Sequence, residues 1–167
     1  PQLLVRLAPN PQPLRSIWSS VKASLCEGKL SRLYKELIFM VTASAKNCHY
    51  CKLAHKAMGR QLGVSDHLLE FLDSDIELRN VEPQSLRAML FLAQDLANNN
   101  LDNVTRSCEQ LSKLNYSQEE IDEVVNLTAV AAMMSTIANG YNLNNQVDQE
   151  FIDILSGLNI KNQSCSA

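Results

Sequence analysis

Glycine and proline are scarce in this chain. Five of each in 167 residues leave few places for a tight turn, which disfavours sandwiches and barrels of short strands and favours long helices. No alternating strand pattern rises above noise, whereas apolar residues recur at helical spacing through nearly every segment between the ragged ends. The chain therefore reads as all-α: a compact helical domain of about seven or eight helices, with 1–167 as a single domain.

Pro13 sits in the first turn of a helix over "LRSIWSSVKASLC", with Ile17, Trp18, Val21 and Leu25 on one stripe and Gly28 as its stop. Ser31 caps "RLYKELIFMVTASA", whose second half is apolar all round and so is expected to be buried on every side. Asn47 reads as the N-cap of a helix that starts at Cys48 and runs to "QLG". Ser65 caps "DHLLEFL", Pro83 opens "QSLRAMLFLAQDLA", and Asp102 to Leu114 is amphipathic. Ser117 and Glu120 form a capping box ahead of the long run Ile121 to Asn139, and "DQEFIDILSGL" is a last helix before a polar tail. Setting Glu36 on Glu123 aligns "ELIFMVTASAKNCHYCKLAH" with "EVVNLTAVAAMMSTIANGYN" and His55 with Asn142. The identities are few, so two related units, roughly 31–73 and 113–157, and a chance likeness both stay open.

A net charge of -3 and a pI near 5.6 argue against nucleic-acid or anionic-membrane partners. The longest apolar run, Leu37 to Ala45, is too short to span a bilayer, and no secretory signal pattern opens the sequence. Five cysteines, mostly isolated, do not resemble a secreted disulfide framework, so a cytoplasmic location is expected. Only Cys48 and Cys51 form a pair; Cys26, Cys108 and Cys165 stand alone, with Cys108 read as a packed free thiol. His67 reads as solvent-facing, Trp18 and Phe91 as packing residues, "SDIEL" after Leu72 as solvated linker, and Met133–Met134 as core or subunit interface. The helix Ile121 to Asn139 carries more apolar surface than a small domain covers easily, which points to burial between subunits.

The segment richest in chemistry runs from Glu36 to His55. On a helix, Cys48, Cys51 and His55 fall within roughly 60° of one another and share a face. A helix N-terminus aims its dipole and free N–H groups at the first thiol, which favours the thiolate of Cys48. An imidazole one turn past Cys51 favours deprotonation of that sulfur instead, so the nucleophile stays open. Glu36 reaches the site if the break at Lys46–Asn47 folds the two helices antiparallel; a buried carboxylate then needs a polar partner, and His55 would serve. Three readings compete. One is plain packing, and one is a tetrahedral zinc set of Cys48, Cys51, His55 and Glu36, weakened because zinc CxxC units usually occupy tight turns. The third is a redox pair with a proton relay, which uses every part.

With Glu36, then "NCHYC" twelve residues on, then "AH" ending at His55, the chain resembles the alkylhydroperoxidase D and carboxymuconolactone decarboxylase superfamily, most of all its peroxidase-related branch. The likeness extends to "GKL", "LGVS" and "EEIDEVVNLTAVAAMMSTIANGYN". It implies an all-helical fold, trimers or hexamers, and a thiol peroxidase or disulfide-reducing activity carried by Cys48, Cys51, His55 and Glu36. It also implies an organic hydroperoxide or hydrogen peroxide as substrate, an external thiol or dithiol as reductant, and neither a bound cofactor nor a metal. Decarboxylases of the superfamily lack the CxxC pair, which makes that activity the weaker expectation. The best-studied alkylhydroperoxidases carry a His just before the second Cys; here that position is Tyr50, an auxiliary donor candidate. His49 is one step away, rotated by roughly 100°, and is not expected to replace it. A protein disulfide exchanger of the same fold, and a non-catalytic zinc-binding or oligomeric helical module, are the alternatives.

Overall fold

The computed structural model describes residues 2–73, 78–147 and 149–157. Among these, nine α-helices follow one another: α1 (Gln2–Leu7), α2 (Pro11–Cys26), α3 (Arg32–Ala45), α4 (His49–Gln61), α5 (Asp66–Asp73), α6 (Gln84–Ala97), α7 (Leu101–Lys113), α8 (Gln118–Gly140) and α9 (Gln149–Gly157). Short 3-10 turns at Leu78–Asn80 and Leu143–Gln146 complete the described residues, which contain no strand. The all-α expectation holds. The additional helix is α1, from a stretch read as a ragged end; Leu3 and Leu7 bury against the core and hold it in place.

α3 is the central element. Every residue from Lys35 to Ala43 is buried, because α4, α6 and α8 pack around it. Each fully buried Leu or Ile on it contributes about 1.5–3 kcal/mol relative to exposure. A helix enclosed in this way can carry a polar side chain only if neighbouring helices supply its partner, and Glu36 lies within the buried stretch.

Local signals set most of the boundaries. The Ser31 hydroxyl accepts the Tyr34 N–H, the Ser65 hydroxyl accepts the Leu68 N–H, and Ser117 with Glu120 closes a reciprocal capping box on α8. Gly28 ends α2 at φ +101° and lies against the Glu123 carboxylate, which accepts the N–H groups of Lys29 (2.5 Å) and Leu30 (3.1 Å). Glu123 also pairs with the buried Lys35 at 3.3 Å, so its carboxylate holds the α2–α3 connection.

Some packing expectations change. Trp18 is 51% exposed, because α2 meets the core through Leu14, Ile17, Val21 and Leu25, and position 18 is rotated off that stripe. Met134 is buried while Met133 is exposed on the outer side of α8, and Phe91 packs against the core. His67 is exposed and Cys108 is a half-buried free thiol. Cys26, expected to stand alone, is disulfide-bonded. In "SDIEL", residues 74–77 lie outside the described residues, as does Cys165, while Leu78 is buried. Asp73, just before that stretch, binds Lys52 at 2.8 Å and Lys56 at 2.6 Å and so ties α5 to α4.

Candidate active site

The joint between α3 and α4 creates the site. Asn47 adopts the left-handed conformation (φ 51°), which asparagine tolerates better than most residues, and it ends α3 rather than capping α4. The Cys48 N–H returns to the Ala43 carbonyl at 2.9 Å, reversing the chain so that α4 runs back along α3. The cap falls instead to Cys48, one residue later than expected. Its Sγ accepts the Cys51 N–H at 3.3 Å, and α4 begins at His49. A sulfur in the N-cap position faces the positive end of the helix dipole and its free N–H groups.

The chain beyond α8 secures this joint from a distance. Asn144 Oδ1 accepts the Tyr50 N–H at 2.9 Å, and its Nδ2 donates to the Asn47 carbonyl at 3.2 Å and to Asn139 Oδ1 at 3.0 Å. Asn139 Nδ2 donates in turn to the Lys46 carbonyl at 3.0 Å. These contacts satisfy backbone groups that a sharp helix–helix junction leaves unpaired.

One turn deeper, the antiparallel packing brings Glu36 to His55. Glu36 is fully buried; its Oε2 lies 2.5 Å from His55 Nδ1 and its Oε1 2.5 Å from Arg32 Nε. Burial pushes the Glu36 pKa up, but the charge and hydrogen bond of His55, then those of Arg32, outweigh burial and hold it below the ordinary carboxylate value. An ionised carboxylate accepts from both neighbours, which places an imidazole proton on Nδ1 and leaves Nε2 as the ring nitrogen not committed to Glu36. Phe39 stacks on the ring, with centroids 3.6 Å apart and planes 17° apart, and fixes its orientation.

The two sulfurs are both buried and both free thiols. The Cys51 thiol donates to Cys48, which lowers the Cys48 pKa against the opposing effect of burial. Holding that proton, together with burial, raises Cys51 strongly. When the pair loses one proton, the Cys51 N–H at 3.3 Å favours Cys48 as the sulfur that carries the negative charge.

Of the expected site residues, the structure joins Glu36 to His55 and Cys48 to Cys51, and it sets His55 one turn past Cys51 on α4. Among the described residues no direct hydrogen bond links His55 to either sulfur, so proton transfer between them needs a bridging molecule or a small movement. Tyr50 is buried beside the sulfurs, but its hydroxyl accepts the Leu3 N–H of α1 at 3.3 Å, and burial raises its pKa. His49 is exposed and outside the site. The zinc set is not assembled: no three His, Cys, Asp or Glu side chains among the described residues are grouped to hold a metal ion.

Three positions were not anticipated. Arg32 lies four residues before Glu36 on one helix, a spacing that signals an ion pair. Asn144 gave no local signal, because it acts on residues more than ninety positions away. Ser135, fully buried on α8, lies close enough to both sulfurs to favour their ionised forms. Like Cys48, it stands twelve residues past the glutamate in the internal echo.

No family model matches the chain, and no curated protein matches it. Solved structures do. An uncharacterized peroxidase-related protein from Silicibacter sp. TM1040 superposes with a TM-score of 0.77 at 26% identity, over 84% of this chain and 73% of that one. An alkylhydroperoxidase AhpD core, an uncharacterized peroxidase-related protein from Ralstonia eutropha JMP134, superposes with a TM-score of 0.79 at 22% identity, over 90% of this chain and 78% of that one. The chain thus has the alkylhydroperoxidase D-like helical fold, and the resemblance read from Glu36, Cys48, Cys51 and His55 agrees with its structural neighbours.

Proposed function

We propose that this protein is a thiol-dependent peroxidase of the alkyl hydroperoxide reductase type. One observation carries the reading: at the mouth of α4, the Cys48 sulfur accepts the Cys51 N–H at 3.3 Å, while His55 further along the same helix pairs with the buried Glu36 of α3. A dithiol with a nearby base has the parts needed to cleave an O–O bond and then close a disulfide.

The cycle starts with Cys48 as thiolate, its proton held by His55 Nε2 beside the ionised Glu36. Cys48 attacks the terminal oxygen of an organic hydroperoxide or hydrogen peroxide; the S–O bond forms and the O–O bond breaks. The leaving alkoxide or hydroxide takes the Cys51 proton and departs as alcohol or water. Cys48 is then a sulfenic acid and Cys51 a thiolate. Cys51 attacks the Cys48 sulfur and expels hydroxide, which takes the proton from His55 and leaves as water. An external thiol or dithiol reduces the disulfide and restores both protons.

The apolar outer side of α8, with Val125 and Met133 exposed, supports assembly with further copies of the chain, as a trimer or hexamer. A reducing compartment such as the cytoplasm suits a reductant-dependent cycle. Peroxide consumption with a dithiol donor tests the proposal. The wild type turns over, whereas Cys48→Ser and Cys51→Ser each stop multiple turnover. Turnover by the wild type with disulfides but not with peroxides would replace this reading with a disulfide exchanger.

A further inference from the structure

The described residues contain four buried serine and threonine hydroxyls, and only one is unsatisfied. Thr42 donates to the Ile38 carbonyl at 2.8 Å, Thr128 to the Val124 carbonyl at 2.7 Å, and Ser107 to Asp95 Oδ2 at 3.2 Å. Ser135 has the same opportunity on α8, the carbonyl four residues back, yet its Oγ makes no hydrogen bond and is fully enclosed. An enclosed hydroxyl without a partner is unfavourable, and helical serines ordinarily relieve this by bonding back to the preceding turn. Ser135 instead lies beside the Cys48–Cys51 pair, where it favours the ionised form of each sulfur.

We infer that Ser135 is a further catalytic residue, a fixed O–H donor from α8 that completes its hydrogen bond only when Cys48 carries negative charge. A protonated thiol is a poor acceptor, so the hydroxyl is unsatisfied while the pair is neutral. A thiolate is a good acceptor, and so is the oxygen of the sulfenic acid that follows it. The unmet hydrogen bond of the neutral state thus becomes a bias toward the anion. The titratable groups around the pair are Tyr50 and His55 on α4 and Glu36, with Arg32 behind it, on α3. α8 adds the hydroxyl to this set.

The inference deepens the peroxidase reading and rests on it for the role of the sulfenic acid, but its test does not need peroxide. Iodoacetamide labelling of Cys48 is followed across pH by peptide mapping in wild type, Ser135→Ala and Ser135→Thr, with thermal unfolding alongside. Loss of a hydrogen bond to a charged group moves the Cys48 midpoint up by about one pH unit in Ser135→Ala. The melting temperature is expected to stay level or rise, since no satisfied bond is removed. Ser135→Thr keeps the hydroxyl and is expected to keep the wild-type midpoint. An unchanged midpoint in Ser135→Ala, or equal shifts in both variants, overturns the inference and leaves the peroxidase reading standing. Absence of peroxide turnover in the wild type overturns the peroxidase reading and leaves the labelling result intact.

Discussion

Glu36 Oε2 and His55 Nδ1 stand nineteen residues apart in sequence and 2.5 Å apart in space, inside the packing between α3 and α4. Among the described residues, the contact joins a fully buried carboxylate to the only buried imidazole. It commits Nδ1 to the carboxylate and leaves Nε2 as the ring nitrogen available for proton transfer.

Replacing the carboxylate tests this relationship. Glu36→Gln removes the buried negative charge that faces both Arg32 and His55. The expected cost is about 3 kcal/mol of unfolding free energy, read by denaturant titration. Peroxide kcat/KM is expected to fall by about 100-fold as the imidazole loses its orienting acceptor. Full activity in a folded Glu36→Gln protein would remove the relay from the mechanism.

The same carboxylate sets an acid limit. Its pKa in the folded protein lies below the ordinary value of 4.5, so the stability it contributes is present above that pH and is lost as the pH falls through the lower, folded value. Thermal melts from pH 6 downward are therefore expected to show a loss beginning near 4.5 in the wild type and a shallower one in Glu36→Gln. Identical acid profiles would show that the carboxylate does not stabilise the fold in this way.

The sulfurs are expected to react unequally. Cys48 titrates below the ordinary thiol value of 9.0, because the Cys51 S–H and N–H both point at it, while Cys51 titrates far above. Sub-stoichiometric iodoacetamide near pH 8 is expected to modify Cys48 first by at least tenfold, measured by peptide mapping. Preferential modification of Cys51 would exchange the two roles.

Gly28 offers a test of the scaffold apart from the chemistry. A side chain there meets a left-handed backbone at φ +101° and places its Cβ 2.4 Å from the Glu123 carboxylate. Gly28→Ala is expected to cost about 2 kcal/mol or more, seen in unfolding, while the pH midpoint of Cys48 labelling stays unchanged because the two sites share no residue. A wild-type melting curve would mean that the connection accommodates the methyl.

The caps were legible because they are local. Ser31, Ser65 and Ser117 each act on a backbone group three residues away, and the residue types alone announce it. The α3–α4 junction was legible to within one residue. Asn47 and Cys48 can each cap a helix, and the choice went to Cys48 because Asn47 was needed in the left-handed stop of α3. The Glu36–His55 contact was legible only as a condition on antiparallel packing, which the chain reversal at Asn47 met.

By itself, the sequence determined that the chain is helical, where most of its helices after α1 begin and end to within a residue or so, and that two thiols and an imidazole share one face at the start of α4. These follow from backbone geometry and neighbouring residues, which act over a few positions. Only the tertiary structure decided which groups keep Glu36 ionised in a closed core and which distant side chains reach the site. Ser135 and Asn144 enter from more than eighty residues away. Their placement depends on how α8 and the chain beyond it pack on α3 and α4, which burial of apolar surface settles for the chain as a whole rather than for any one segment.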